Sequence, residues 1–237
     1  SNYNTNVLFG DNNVVVVEAD EYDRSFLTLH PNIAVVTSAD ADHLDIYGDA
    51  SSLIDSFKMY LDRVVDGGTR IVKSGLPFAG DISYTREGEA DAHGANVQVI
   101  DGEFHFDYIK EDIVIPNIRL GIPGLHNVEN AVAAITVALL LGIDQDKIVT
   151  ALGNFKGAKR RFEYVVRTAD HVYIDDYAHH PEELRAFLSS MRKLYPTKKL
   201  TVVFQPHLFT RTRDFSDGFA EVLGMADELL LMDIYPA

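Results

Sequence analysis

Two short runs of apolar, mostly β-branched residues constrain this chain most: residues 14–17 (VVVV) and 33–36 (IAVV). Both are continuous rather than alternating, which predicts strands covered on both faces, as in a parallel sheet. Each run is followed at once by acids: Glu18, Asp20, Glu21 and Asp23 after the first, Asp40, Asp42 and Asp45, with His43 among them, after the second. As parallel neighbours, the two strands would release both polar tails at one edge of the sheet, where open α/β folds bind ligands. Carboxylates gathered on rigid strand ends repel one another without a cation, and a hard divalent ion such as Mg²⁺ suits oxygen donors. The same acids also read as helix caps and solvated loop residues.

Strand-like and helix-like patterns then alternate. Ser52 opens a helical stripe of Leu53, Ile54, Phe57, Leu61, Val64 and Val65, closed by Gly67-Gly68 before a strand at 69–72. Lys58 lies on that helix, where a solvated lysine is the ordinary reading. Val97, Val99, Phe104 and Phe106 alternate around Asp101-Gly102, a hairpin signature and a small antiparallel extension. A glycine-proline turn at 121–124 leads into an alanine-rich helix with Asn127 as N-cap and Val128, Ala131, Val132, Ile135 and Leu139 as core. Asn130 shares the face of Asn127 at the helix start. Two carboxamides there can meet an adenine edge. A short helix at 144–155 precedes the most basic window, KGAKRRF at 156–162, where a domain boundary is placed.

Beyond it, strands at 172–174, 200–204 and 229–232 alternate with helices at 181–195 and 216–225, a parallel, Rossmann-like pattern. The strand ends carry Asp175-Asp176-Tyr177-Ala178-His179-His180 and a run from Gln205 through His207, Leu208 and Arg211 to Arg213. The fold class expected is α/β: a mostly parallel central sheet with helices and a small antiparallel extension over 1–156, then a partial Rossmann-like C-terminal domain over 157–237.

Composition excludes several classes. Of 237 residues, 46% are hydrophobic and 24% charged, ordinary for a soluble globular protein. The longest apolar run, 131–141, is interrupted by Thr136 and too short to span a membrane. No signal peptide is read. With no cysteine there is no disulfide or thiolate metal site, which fits a cytoplasmic protein. A net charge of -15 leaves no broad basic face for nucleic acid. Mg²⁺ and a few placed arginines can still neutralise a nucleotide's phosphates.

Six stretches carry a family resemblance: EADEYDRSF (18–26), DADHLDIYGD (40–49), GLHNVENA (124–131), RRF (160–162), and the pair DDYAHHPEE (175–183) and FQPHLFTRTRD (204–214). From Val14 onward the chain resembles the Mur ligases, ATP-dependent enzymes that add amino acids to the peptidoglycan precursor of the cell wall. FQPHLFTRT resembles the branch that joins L-alanine to UDP-N-acetylmuramate through an acyl phosphate. The resemblance implies that Glu18 and His43 hold the Mg²⁺ of MgATP, and that Lys58 stands near the position of a carbamylated lysine that helps bind a second Mg²⁺. It implies that Asn127 and Asn130 line the adenine pocket, that Arg161 reaches the ATP phosphates and that Asp176 contacts the ATP side. Tyr177, His179, His207 and Arg211 would surround L-alanine. Of these, Arg211 would hold the carboxylate; a nearby histidine or carboxylate could take the amine proton, with His179 the candidate chosen. Some relatives carry arginine where this chain has Leu208, which puts more weight on Arg211.

No G-x-x-x-x-G-K-[ST] phosphate loop occurs in the chain. The expectation is a fragment, inactive alone, that lacks the N-terminal domain, the phosphate loop and the end of the C-terminal domain. Two alternatives stay open: a related ligase that recycles a tripeptide onto the same sugar nucleotide, and a non-catalytic nucleotide- or metal-binding module.

Overall fold

The computed structural model describes residues 7–40 and 47–236. Six strands form one sheet in sequence order: β1 (Ile33–Val36), β2 (Thr69–Lys73), β3 (Ile82–Thr85), β4 (Ala92–Ile100), β5 (Glu103–Lys110) and β6 (Ile113–Arg119). β1 to β4 pair in parallel, and β4, β5 and β6 in antiparallel. The β4–β5 turn is Asp101-Gly102, with φ of 52° and 78°. Two left-handed residues in a two-residue loop match the strand twist, so the hairpin forms where expected.

In β1 the continuous apolar run is explained by packing. Ile33 and Val35 join one core cluster, Ala34 and Val36 another, so both faces are covered. The first cluster lies under α2 (Leu125–Leu140), which buries Val128, Val132 and Ile135, and reaches α3 (Gln145–Asn154) through Ile148. Phe104, Phe106 and Tyr108 of β5 point into it, and the Tyr108 hydroxyl meets Thr136 Oγ1 at 3.0 Å. The second cluster sets α1 (Ala50–Leu61), through Tyr60 and Leu61, against Phe26 in the 3-10 helix Tyr22–Thr28.

The strand expected at 14–17 does not form. Residues 14–17 have no regular secondary structure, and Val15 and Val16 are 84% and 89% exposed. A strand exists only by pairing, and none of the described strands pairs with this run. Helix starts also differ. Asp49, not Ser52, caps α1: its carboxylate accepts from the Ser52 amide at 2.8 Å. The helix ends at Leu61, leaving Val64 and Val65 outside it. α2 starts at Leu125, so Asn127 lies inside the first turn and is no cap.

In the second lobe β7 (Glu163–Arg167) pairs antiparallel with β8 (Val172–Asp175), while β9 (Thr201–Phe204) and β10 (Glu228–Leu231) pair in parallel. The expected alternation holds, with α4 (Pro181–Leu194), α5 (Phe209–Asp214) and α6 (Ser216–Leu223) between strands. One detail differs: β8 and β9 are not bonded to each other. A cavity of about 1060 Å³ is lined by both strands and floored by Leu184, Phe187 and Leu188 of α4. It is a gap between two strand edges. No described helix is long and apolar enough to cross a membrane.

The lobes share a core. Phe162, Phe187, Met191 and Leu194 join the cluster under α2. Ser190, fully buried on α4, accepts a hydrogen bond from the Leu125 amide at 2.9 Å and donates to Ala186 O at 2.7 Å. That amide belongs to the first turn of α2, which has no partner within its own helix. Ser190→Ala strands this buried donor and is expected to lower unfolding stability by about 1–3 kcal/mol in urea titrations. An unchanged midpoint would show that water replaces the hydroxyl.

Candidate functional site

The segment between α3 and β7 is strained. Arg160 and Phe162 have φ of 58° and 52°, the left-handed region that costs non-glycine residues on the order of 1 kcal/mol each. The Arg160 amide donates to Glu163 Oε2 at 2.8 Å, and Asp176, just past β8, holds Phe162. Its Oδ2 accepts from the Phe162 amide at 2.8 Å, and its Oδ1 accepts from the Ala178 amide at 2.8 Å. The Phe162 ring is buried edge-on to Phe187, with centroids 5.2 Å apart. Arg160 and Arg161 both reach over the Tyr177 ring, at 4.9 and 5.5 Å from its centroid.

His126, at the start of α2, lies against Phe162 at 6.5 Å between centroids. Gly124, the residue before the helix, has φ of 123°, and a Cβ there would meet the His126 ring at 2.8 Å. Burial holds His126 below its ordinary 6.5, opposed by Asp176 and reinforced by Arg161. Its Nδ1 is buried without a hydrogen bond. Asn127 donates to Pro123 O at 2.7 Å, and Asn130 is exposed one turn on.

The polar ends of β8 and β9 come together at one end of the cavity, which Asp176, Tyr177, His179, Gln205 and His207 line. His179 Nδ1 lies 2.8 Å from Tyr177 O, and a carbonyl can only accept, so Nδ1 carries the proton. In the neutral ring Nε2 is then left as a base. Glu183 accepts from the His179 amide at 2.8 Å and stands 3.5 Å from Nδ1. His207 stacks on Tyr235, and Leu208 donates to Tyr235 O at 3.1 Å, which pins this loop to the segment after β10. Partial burial, then Arg211 and His179, hold His207 below 6.5. Arg211 is only 9% exposed.

Comparison with known proteins places these features. The Mur ligase middle domain matches residues 8–138, and the Mur ligase glutamate ligase domain matches residues 160–236. The chain belongs to the Mur ligase family. It is 48% identical over 237 residues to UDP-N-acetylmuramate–L-alanine ligase of Flavobacterium psychrophilum, and 49% identical over 246 residues to that of Cytophaga hutchinsonii. Each alignment covers 100% of this chain but 52% and 53% of the relative, so the chain spans about half the length of the curated relatives it matches. The crystal structure of UDP-N-acetylmuramate-alanine ligase from Thermotoga maritima superposes with a TM-score of 0.75 at 27% identity, over 90% of this chain and 48% of that one. A MurF ligase from the same organism, in complex with ADP, shares the fold with a TM-score of 0.71 at 18% identity, over 85% and 48%.

Within this Mur ligase chain, one region gathers Asn127, Arg161, Asp176, Tyr177 and His179, linked through His126 and Phe162; His207 and Arg211 adjoin His179. The acidic loops are a second region. Glu18 is exposed, and His43, with Asp42 and Asp45, lies outside the described residues. Tyr47 donates its hydroxyl to Glu21 O, and Arg24 sits 5.3 Å over the Tyr47 ring, so the loop after Glu18 is tied to the far end of the second acidic stretch. A carboxylate such as Glu18 is the donor type a hard cation takes, but among the described residues no three histidines or carboxylates group closely enough to hold a metal ion. Asp20, Asp23 and Asp40 instead accept from Tyr22 N, Ser25 N and Ser38 Oγ in exposed local turns, the solvated-loop role also open from sequence. Lys58 is exposed and pairs with Asp55 at 3.0 Å. Sequence reasoning missed His126 and Tyr235. The first lay inside the asparagine motif; the second had no local signal.

A histidine whose folded pKa lies below its unfolded value binds more protons when unfolded. The stability His126 contributes is full above 6.5 and is lost as pH falls through 6.5 toward its folded value. An NMR titration of His126 is expected to show a midpoint below 6.5, and His126→Gln to flatten the fall in unfolding stability just under that pH. A midpoint at or above 6.5 refutes this.

Proposed function

We propose that this chain is the later central part and the first part of the C-terminal domain of a cytoplasmic ligase that joins L-alanine to UDP-N-acetylmuramate in peptidoglycan synthesis. The domains meet at residues 156/157. The observation that carries the reading is the meeting of the β8 and β9 ends, which gathers His179, His207 and the buried Arg211 beside the Arg161 hinge. The curated relatives that align with the whole chain support the choice of amino acid.

The chemistry required is alignment of anions with charge neutralisation. The lactyl carboxylate of the sugar nucleotide takes the γ-phosphoryl group of ATP and releases ADP. The amine of L-alanine attacks the acyl carbon, and phosphate leaves as the amide forms. In this reading Asn127 and Asn130 face adenine, Arg161 offsets phosphate charge, and Asp176 sets the hinge that carries it. Arg211 binds the alanine carboxylate, Tyr177 and His207 enclose the amino acid, and His179 Nε2 takes the amine proton. Glu18 and His43 would hold Mg²⁺, which would supply countercharge to the phosphates; a second ion near Lys58 belongs to the same reading.

The test measures ADP release by the polypeptide that contains this chain, supplied with MgATP and UDP-N-acetylmuramate. L-alanine is expected to support turnover and a tripeptide not to; the reverse selects the recycling ligase. Arg211→Ala is expected to raise KM for L-alanine by about 100-fold, the loss of a buried charge-assisted carboxylate contact. His179→Gln is expected to lower kcat by roughly 100-fold with little change in KM. A KM for L-alanine unmoved in Arg211→Ala removes that residue from the site.

A further inference from the structure

We propose that Tyr177 is a positioning residue: its ring holds the Arg161 guanidinium ready for phosphate, and so couples the amino-acid loop to the nucleotide. The proposal rests on the reading of Arg161 as a phosphate ligand. Three observations carry it.

The Tyr177 ring is 46% exposed, so core packing does not account for it. It lies under two guanidinium groups, with Arg160 at 4.9 Å and Arg161 at 5.5 Å. The two arginines are not equivalent. Arg160 is also held by Asp175, with Nε 3.7 Å from Oδ2. The Arg161 side chain has no ion pair or hydrogen bond among the described residues, which leaves the ring as its contact. An exposed arginine otherwise samples many rotamers, and a flat ring restricts a flat guanidinium without neutralising it. A carboxylate partner would compete with phosphate; an aromatic face does not.

The ring itself is set from below. Asp176 accepts from the Ala178 amide, His179 Nδ1–H donates to Tyr177 O, and the His179 ring stands edge-on to Tyr177 at 5.2 Å. A contiguous row therefore runs from His179 through Tyr177 to Arg161. Whatever the amino acid does to His179 or Tyr177 is felt by Arg161, and by reciprocity nucleotide binding acts back on the amino-acid loop.

The test uses this chain and nitrogen–proton NMR of arginine side chains. Arg161→Lys identifies the Arg161 Nε–Hε signal by removing it. Over a ring face that signal is displaced upfield. It is expected to stay displaced in Tyr177→Phe and to return to the position of a solvated arginine in Tyr177→Leu. Inorganic triphosphate, titrated with Mg²⁺ while the same signal is followed, is expected to bind about two- to fivefold more weakly in Tyr177→Leu and like wild type in Tyr177→Phe. An Arg161 signal unaffected by Tyr177→Leu overturns the proposal. A signal that depends on the ring but does not respond to triphosphate in the wild-type chain overturns the phosphate role of Arg161, and with it the coupling, while the ring contact stands.

Discussion

One carboxylate, Asp176, joins the two segments on which the second lobe's site depends. One oxygen accepts from the hinge at Phe162, the other from the loop after β8 at Ala178. Hydrogen bonds to an ionised acceptor are about twice as strong as neutral ones. The first acts here against the left-handed backbone of Phe162, with burial of the Phe162 ring on the same side of the balance. Each oxygen keeps a further lone pair, so the group can meet a ligand without releasing either segment. The Tyr177 ring, the Arg161 side chain and the His179 tautomer are all arranged from this anchor.

The strands show what a sequence can and cannot carry. Residues 33–36 and 97–106 were legible because β-branching and alternation are local properties, and both segments found the expected faces covered or paired. Residues 14–17 carry the same local signal and lie exposed. Burial is a property of neighbours, and no periodicity within four residues can report whether a neighbour is present. The same limit applies at β8 and β9. Each read correctly as an apolar strand, yet their separation by a cavity depends on pairing that neither segment encodes alone. β7 escaped notice because charged and polar residues flank the core of EYVVR and the basic hinge just before it dominates that stretch.

At the site, residue types were legible and geometry was not. Asp49 rather than Ser52 caps its helix because the Asp49 backbone is extended and its carboxylate reaches the amide three residues on. Asn127 looked like a cap, but the glycine turn starts the helix earlier and the carboxamide bonds back to Pro123 instead. His126 sits between two asparagines and an apolar stripe that each explain the motif without it. Only the approach of Phe162 from the second lobe sets it in an apolar contact; burial then lowers its pKa, while Asp176 from the same lobe acts the other way.

Charge ties these observations together. The chain carries -15 overall, yet Arg160, Arg161, Arg211, His179 and His207 collect where β8, β9 and the hinge meet. Cations this close raise one another's cost. Part of that cost is avoided because His207, partly buried and facing Arg211 and His179, stays neutral more readily than a free histidine. Arg211 has no such escape, since a guanidinium does not deprotonate at any ordinary pH. A nearly buried, permanent cation beside a histidine held below 6.5 discriminates against further cations at this edge.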